Sequence, residues 1–264
     1  MISDCKRFIA ALDNLVQHAS QTYPVSRFHQ FEAWRIDNGY RLREDAKELD
    51  SQLEPQRAAS VISAHMNDLA LAALPEFTKI HAGCANWRGK RLVAAGPSRS
   101  GKTTLMTRLL YEGFAVHCDD IVLLRHGEVL PFPRRFWIRP HALPLLPQIA
   151  PLDVAAPENR RHLVLDPAER GFEWQIHAAP ADVVLFLERN HASVTQLLPC
   201  PKHAMAKLIM SNSSLPGGGP QEWVRDVCTM LDNASTYVLR CGSLNSVVDA
   251  VKEALEPVGA RTCS

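Results

Sequence analysis

Three observations predict an α/β fold for most of this chain. Short apolar runs alternate with helical stretches from residue 77 onward, a glycine-rich turn separates one such run from one such helix, and an Asp-Asp pair closes the run that follows. The 264 residues suffice for one large domain with a small attachment. The pattern changes at Pro75, so the expected division is a small N-terminal α+β module over 1–75 and the α/β domain over 76–264.

Within the module, residues 1–20 carry Phe8, Ile9, Leu12, Leu15 and Val16 at helical spacing. Residues 26–43 alternate aromatic and polar side chains around Asn38-Gly39, a hairpin signal. Residues 55–74 return to helical periodicity and stop before Pro75. In the larger domain, 77–95 reads as a hairpin turning at Arg88-Gly89, with Leu92 to Ala95 as its second strand. A helix from Lys102 to Tyr111 is followed by Gly113, suited to a C′ position. A strand over 114–118 comes next, then a hairpin turning at Gly127. The proline-rich segment 140–160 reads as loop and 181–189 as a buried strand. Helices are expected over 202–210, 222–232 and 244–256, a strand over 236–241, and a loop at the glycines 217–219.

Composition excludes several classes. With 29 basic and 28 acidic side chains, nothing calls for a nucleic-acid partner. The seven cysteines include no CxxC pair, so neither a disulfide framework nor a zinc site is expected. No apolar run reaches the roughly 18 residues a membrane span needs, and the N-terminus lacks the unbroken apolar core of a cleaved signal. A cytoplasmic location with no membrane partner is the expectation.

The segment GPSRSGKT at 96–103 fits the phosphate-loop pattern G-x-x-x-x-G-K-[ST] in full. Gly96 and Gly101 let the backbone turn tightly and come close to phosphate oxygens. The amides of Ser98, Arg99, Ser100, Gly101, Lys102, Thr103 and Thr104 are then available to a nucleotide, assisted by the helix dipole. Lys102 supplies a point charge for the outer phosphates and Thr103 a hydroxyl for Mg²⁺. ATP and Mg²⁺ are the cofactors this pattern predicts.

Asp119 and Asp120 follow the lysine after a single helix and strand. A right-handed crossover lays that strand parallel to the first, with its C-terminal end beside the phosphate loop. One carboxylate can then hold the cation while its neighbour reaches an incoming hydroxyl.

These features resemble the HPr kinase/phosphorylase family and its shorter relatives, which share a nucleotide core with phosphoenolpyruvate carboxykinase. IHAGC at 80–84, GPSRSGKTT at 96–104 and HCDDIVLL at 117–124 carry the likeness, in family order. The resemblance implies a catalytic domain of that type, with a homo-oligomeric assembly. It implies Asp119 as general base, His81 tuning or orienting it, and Asp120 with Thr103 on the metal side. WIRP at 137–140 resembles the family segment in which an arginine follows a short strand, making Arg139 a catalytic candidate. Trp137 stands where the family carries an acidic residue. Some short relatives phosphorylate a serine of a ribosomal precursor peptide, lasso peptides among them, and the size here is similar to that branch. The expected activity is ATP-dependent phosphorylation of a serine on a peptide or small protein. HPr itself as acceptor, an ATP-binding regulator without transfer, and a transport or DNA ATPase are the competing readings.

Overall fold

The computed structural model describes residues 29–149, 163–168, 171–172, 176–189 and 194–256. The helix expected over 1–20 lies outside them. The chain divides into two compact units, Met1–Pro75 and Glu76–Ser264.

In the first unit, β1 (Phe31–Ile36), β2 (Gly39–Glu44) and β3 (Lys47–Leu53) form an antiparallel sheet, followed by α1 (Pro55–Ala72). Ala33, Tyr40 and Leu42 of the sheet bury against Ala58, Ala59 and Ile62 of the helix. The first turn is centred on Asp37-Asn38, one residue earlier than Asn38-Gly39, because Ile36 pairs with Gly39. Gly39 belongs to the strand for a steric reason: a Cβ there would sit 2.6 Å from the Leu53 carbonyl oxygen. The second turn, Asp45-Ala46, has both residues at positive φ (44° and 70°), as a tight hairpin demands. The sequence reading had not distinguished β3.

The second unit opens with β4 (Thr78–Trp87) and β5 (Lys90–Ala95), joined at Arg88-Gly89 with φ of 50° and 79°. Next come α2 (Lys102–Tyr111), β6 (Ala115–Cys118), β7 (Ile121–Arg125), β8 (Glu128–Pro131) and β9 (Phe136–Ile138). A 3₁₀ turn over Pro140–Leu145 occupies part of the segment read as loop. The order continues with β10 (Leu163–Leu165), β11 (Val183–Arg189), β12 (Gln196–Pro199), α3 (Lys202–Met210), β13 (Ser213–Ser214), α4 (Pro220–Asp232), β14 (Ser235–Cys241) and α5 (Leu244–Leu255). Strands β10, β12 and β13 were not foreseen; each is only two to four residues long.

A central mixed sheet runs β12-β14-β11-β5-β4-β7-β8, with β6 and β13 also on β4. Strands β5, β11 and β14 are mutually parallel in that order of pairing. Alternation along them feeds two cores. Leu92 and Ala94 of β5 join Leu185 of β11, Met106 and Leu109 of α2 and Val251 of α5 on one face. Val93 and Ala95 join Val184, Met205 of α3 and Val227 of α4 on the other. Helices thus cover both faces, and each fully buried Leu or Val contributes about 1.5–3 kcal/mol.

Strand β6 runs in the same direction as β5 but is not its neighbour, since β4 lies between them, antiparallel to both. The reason is occupancy. The hairpin places β4 on one edge of β5 and β11 takes the other, so the strand leaving α2 can pair only on the far side of β4.

Candidate functional site

Strand β4 is the rail that aligns the site. Its C-terminal half pairs β6 and its N-terminal half pairs β7, with Cys84 opposite Cys118 and His81 opposite Ile121. Asp119 and Asp120 occupy the break between β6 and β7, level with the Ala82–Ala95 pair where β5 ends. The register shift between Cys84 and Ala85 sets Val116 through Cys118 against two residues, so His117 is the extra residue of a bulge. His117 is fully buried and neither ring nitrogen has a hydrogen-bond partner. Burial, then Arg91 and His177, push its pKa down to about 4, so it is neutral.

From Ala95 the chain turns through 96–101 into α2, capped by Gly101 at φ 103°. Gly96 lies at φ 155°, and a Cβ there would come within 2.9 Å of both the Ser100 hydroxyl and the Leu187 carbonyl. The loop is folded back on its own lysine: Lys102 Nζ donates to the Gly96 carbonyl at 2.7 Å and the Pro97 carbonyl at 3.0 Å. Burial lowers Lys102 to about 8, against the opposing pull of Asp120 and Asp119.

The two aspartates have unlike surroundings. Asp119 is 1% exposed, and Thr103 donates its hydroxyl to Oδ2 at 2.8 Å. Its Oδ1 is buried without a partner. Burial pushes the carboxyl up to about 6; Arg134 and Thr103 oppose that and Asp120 adds to it. Asp120 faces the cleft with a quarter of its side chain accessible, His81 Nε2 2.7 Å from Oδ1 and Arg134 2.6 Å from Oδ2. Burial alone would raise this carboxyl, but His81, Arg134 and Lys102 outweigh it and hold it below the usual carboxylate range.

These groups line one cleft of about 590 Å³, within the range of small-molecule sites. Ser98, Arg99, Ser100, Gly101, Lys102, Thr103, Thr104, His81, Asp119, Asp120 and Arg139 all border it. Gly96 does not; it is buried, its carbonyl engaged by Lys102. Thr103 hydrogen-bonds Asp119, whereas the resemblance implied Thr103 and Asp120 together on the metal side. Arg135 turns away onto Asp166 at 3.2 Å. The glycines at 217–219 do not border the cleft.

Sequence reasoning missed Arg134 as the Asp120 partner, and also Leu187, Arg189, His141 and the Cys241–Leu244 turn. A signal existed for Arg189 and Cys241. Each ends a strand parallel to β5, so each must emerge on the edge where the phosphate loop starts. Arg134 precedes β9 in irregular backbone and His141 follows it in the short 3₁₀ turn, and neither stretch is long enough for periodicity to mark direction.

The residues present suit a magnesium nucleotide. Thr103, Asp119 and Asp120 make an all-oxygen donor set suited to a hard cation. The buried Asp119 Oδ1 and Ser100 hydroxyl are polar atoms still lacking a partner. The first-turn amides of the ten-residue α2 face the same space as Lys102.

No family model matches the chain, and no curated protein sequence matches it. A solved structure described as the Hpr(Ser) kinase/phosphatase from Coxiella burnetii aligns over 66% of this chain and 94% of that one, at 9% identity and a TM-score of 0.35. A likeness of that degree does not define the activity. Among the described residues no helix is long and apolar enough to cross a membrane.

Proposed function

We propose that this protein is an ATP-dependent kinase that transfers a γ-phosphoryl group to a serine hydroxyl of a peptide or small protein. The observation that carries the reading is the pair of adjacent carboxylates, one sealed against Thr103 and one open to the cleft. Holding a nucleotide needs only the first. The second, oriented by His81, has no evident use unless a further group approaches it.

Roles follow from those surroundings. Thr103 and Asp119 would hold Mg²⁺, which supplies charge neutralisation at the outer phosphates when bound. Lys102 leaves the Gly96 and Pro97 carbonyls to meet the same phosphates. Asp120 takes the base role that the resemblance assigned to Asp119, because a 1% exposed carboxylate offers an acceptor hydroxyl no approach. His81 fixes the Asp120 carboxylate through Oδ1, and Arg134 leaves Oδ2 to follow negative charge on the transferring group. The serine oxygen attacks the γ-phosphorus, the bond to the bridging oxygen breaks, ADP departs, and Asp120 accepts the hydroxyl proton. The transition state is loose, so positioning and charge neutralisation dominate and proton transfer is late. Arg139 and Trp137 also border the cleft, and Arg139 is a further candidate to meet phosphoryl charge.

The test is incubation with γ-labelled ATP, Mg²⁺ and serine-containing peptides, a lasso-type precursor peptide first and HPr second. Label on a peptide serine is the expected result. Release of free phosphate without labelled peptide would favour an ATPase or switch, and nucleotide binding with neither would favour a regulator.

A further inference from the structure

The cleft extends to both sides of β5. Strands β5, β11 and β14 are parallel, so their C-terminal ends open on the edge where the phosphate loop begins. Asp119 and Asp120 stand on one side, beyond β4. Arg189 and Cys241, paired in register, end β11 and β14 on the other side. With neighbouring strands about 4.8 Å apart, the aspartates and the end of β14 lie roughly 10 Å from β5 in opposite directions.

The two sides differ in chemistry. The aspartates are surrounded by Thr103, His81 and Arg134. On the β14 side Leu187, Leu244 and Val247 border the cleft. Side-chain alternation sorts the strand ends there. Leu185 and Leu187 of β11 and Leu239 of β14 face the core shared with α2 and α5. Arg189 and Cys241, each two positions beyond one of these, emerge on that same face, and both border the cleft. Glu188 and Arg240 fall on the opposite face and pair with each other at 3.3 Å. The wall beyond is fixed in advance. The Gly242 amide donates to Thr195 Oγ1 at 3.1 Å, the Thr195 and Ser246 hydroxyls lie 2.7 Å apart, and Ser243 caps α5 by accepting from the Ser246 amide.

Phosphoryl transfer sets a direction across this space. The attacking and leaving oxygens lie roughly in line through the transferring phosphorus. With the acceptor hydroxyl entering at Asp120, the leaving ADP points away from Asp120, over the loop and toward β11 and β14. We propose that the space over the ends of β11 and β14 holds the nucleoside end of ATP, with Leu244 and Val247 of α5 against one face of the base and Arg189 across the other. The inference rests on the kinase reading above and specifies the opposite end of the same nucleotide. Packing a flat heteroaromatic base on aliphatic side chains removes apolar surface from water, and a guanidinium over its π face adds an electrostatic attraction. Neither interaction requires a hydrogen-bonding residue at a fixed spacing, so no motif marks this subsite.

The experiment separates the base from the phosphates. Magnesium ATP and magnesium tripolyphosphate, which offers a phosphate chain without a nucleoside, are each titrated into the full chain by isothermal calorimetry. Wild type is expected to bind ATP at least about tenfold more tightly than tripolyphosphate. Arg189→Ala and Leu244→Ala are each expected to lower ATP affinity about three- to tenfold and to leave tripolyphosphate within about twofold. The double variant is expected to bring the two ligands level. Retained tripolyphosphate binding shows that a variant is folded, and Arg189→Ala, at an exposed position, carries the test if Leu244→Ala does not fold. The proposal is overturned if both variants keep the wild-type preference for ATP, or if wild type binds the two ligands equally; the phosphate cradle stands in either case. It is also overturned if Arg189→Ala weakens tripolyphosphate as much as ATP, which would put the guanidinium on the phosphates. A wild type that binds neither ligand removes the nucleotide site itself, and the proposed kinase with it.

Discussion

Two imidazole–carboxylate pairs of equal length, His81 with Asp120 and His65 with Glu44 at 2.7 Å each, sit in opposite electrostatic company. In the cleft, the second Asp120 oxygen meets Arg134, and Lys102 adds its field. In the first unit, the second Glu44 oxygen meets another histidine, with Asp45 beside it. The cleft carries its own cations and places them where a polyanion can draw them off. In the other cluster Glu44 meets an imidazole at each oxygen, His29 at one and His65 at the other. The same local pair is therefore read differently according to what satisfies its remaining oxygen.

The sharpest way to break that contrast is to remove the cleft carboxylate alone. Asp120→Asn keeps the shape and removes the proton acceptor, so kcat for peptide phosphorylation is expected to fall by about 10²–10⁴, or roughly 3–5 kcal/mol of transition-state stabilisation. Affinity for the magnesium nucleotide, read with a fluorescent ATP analogue, should stay within a few-fold of wild type. Asp119→Asn should do the reverse, weakening the magnesium nucleotide first. If Asp119→Asn spared nucleotide binding while Asp120→Asn abolished it, the two roles would have to be exchanged.

Much of this arrangement was legible in advance, for physical reasons that vary by element. The turn over 96–101 was readable because its glycines punctuate the chain between a strongly apolar strand and a periodic helix. Asp119 and Asp120 were readable because they follow a strand that one helix obliges to return to the same edge. Their unlike surroundings were not. They depend on Thr103 reaching one carboxylate and on His81 and Arg134 reaching the other, contacts that span 14 to 39 positions in the chain. The neighbour of β6 was not legible, because pairing depends on which strand edges are already filled, and the β4–β5 hairpin had filled the nearer one. The His29 cluster had no motif to betray it. Its members are brought together by a turn and a sheet register, with no fixed spacing.

A smaller effect sharpens the contrast through pH. Burial pushes Asp119 up to about 6, so below that pH the carboxyl is protonated and cannot hold a divalent cation. Burial lowers Lys102 to about 8, so above that pH the ammonium loses its charge. Nucleotide affinity in the presence of Mg²⁺ should therefore be greatest between about 6 and 8 and fall by up to about tenfold per unit beyond either limit. Lys102→Met should lower affinity throughout and remove the alkaline limb while keeping the acid one. Stability of the free protein responds in the opposite sense at the acid side. A carboxyl raised by folding contributes stability that is full below its unfolded pKa and lost as pH rises through about 6. Denaturant titrations between about pH 4 and 7 should show this contribution growing on acidification, where nucleotide binding is being lost. A flat binding profile across that range would separate Asp119 from the cation.

The smallest change concerns Arg134, the cation the cleft supplies for itself. It pairs with Asp120 at 2.6 Å and lowers the Asp119 carboxyl as well, so removing it takes positive charge from both acids. Both should then titrate higher, since a carboxylate without its cation holds a proton more tightly. Arg134→Gln is expected to move the acid limb of the phosphorylation profile upward, while peptide KM stays within a few-fold of wild type. The same variant tests whether Arg134 travels with the phosphoryl group. If the guanidinium serves only to hold Asp120 at rest, kcat at alkaline pH recovers to near the wild-type value, because both acids are ionised there without help. If it meets the transferring group, kcat remains depressed at every pH. The second outcome is expected, because Arg134 borders the cleft on the same side as Asp120, within reach of charge developing there. An acid limb that does not move would show that the ion pair contributes nothing to the ionisation of either aspartate.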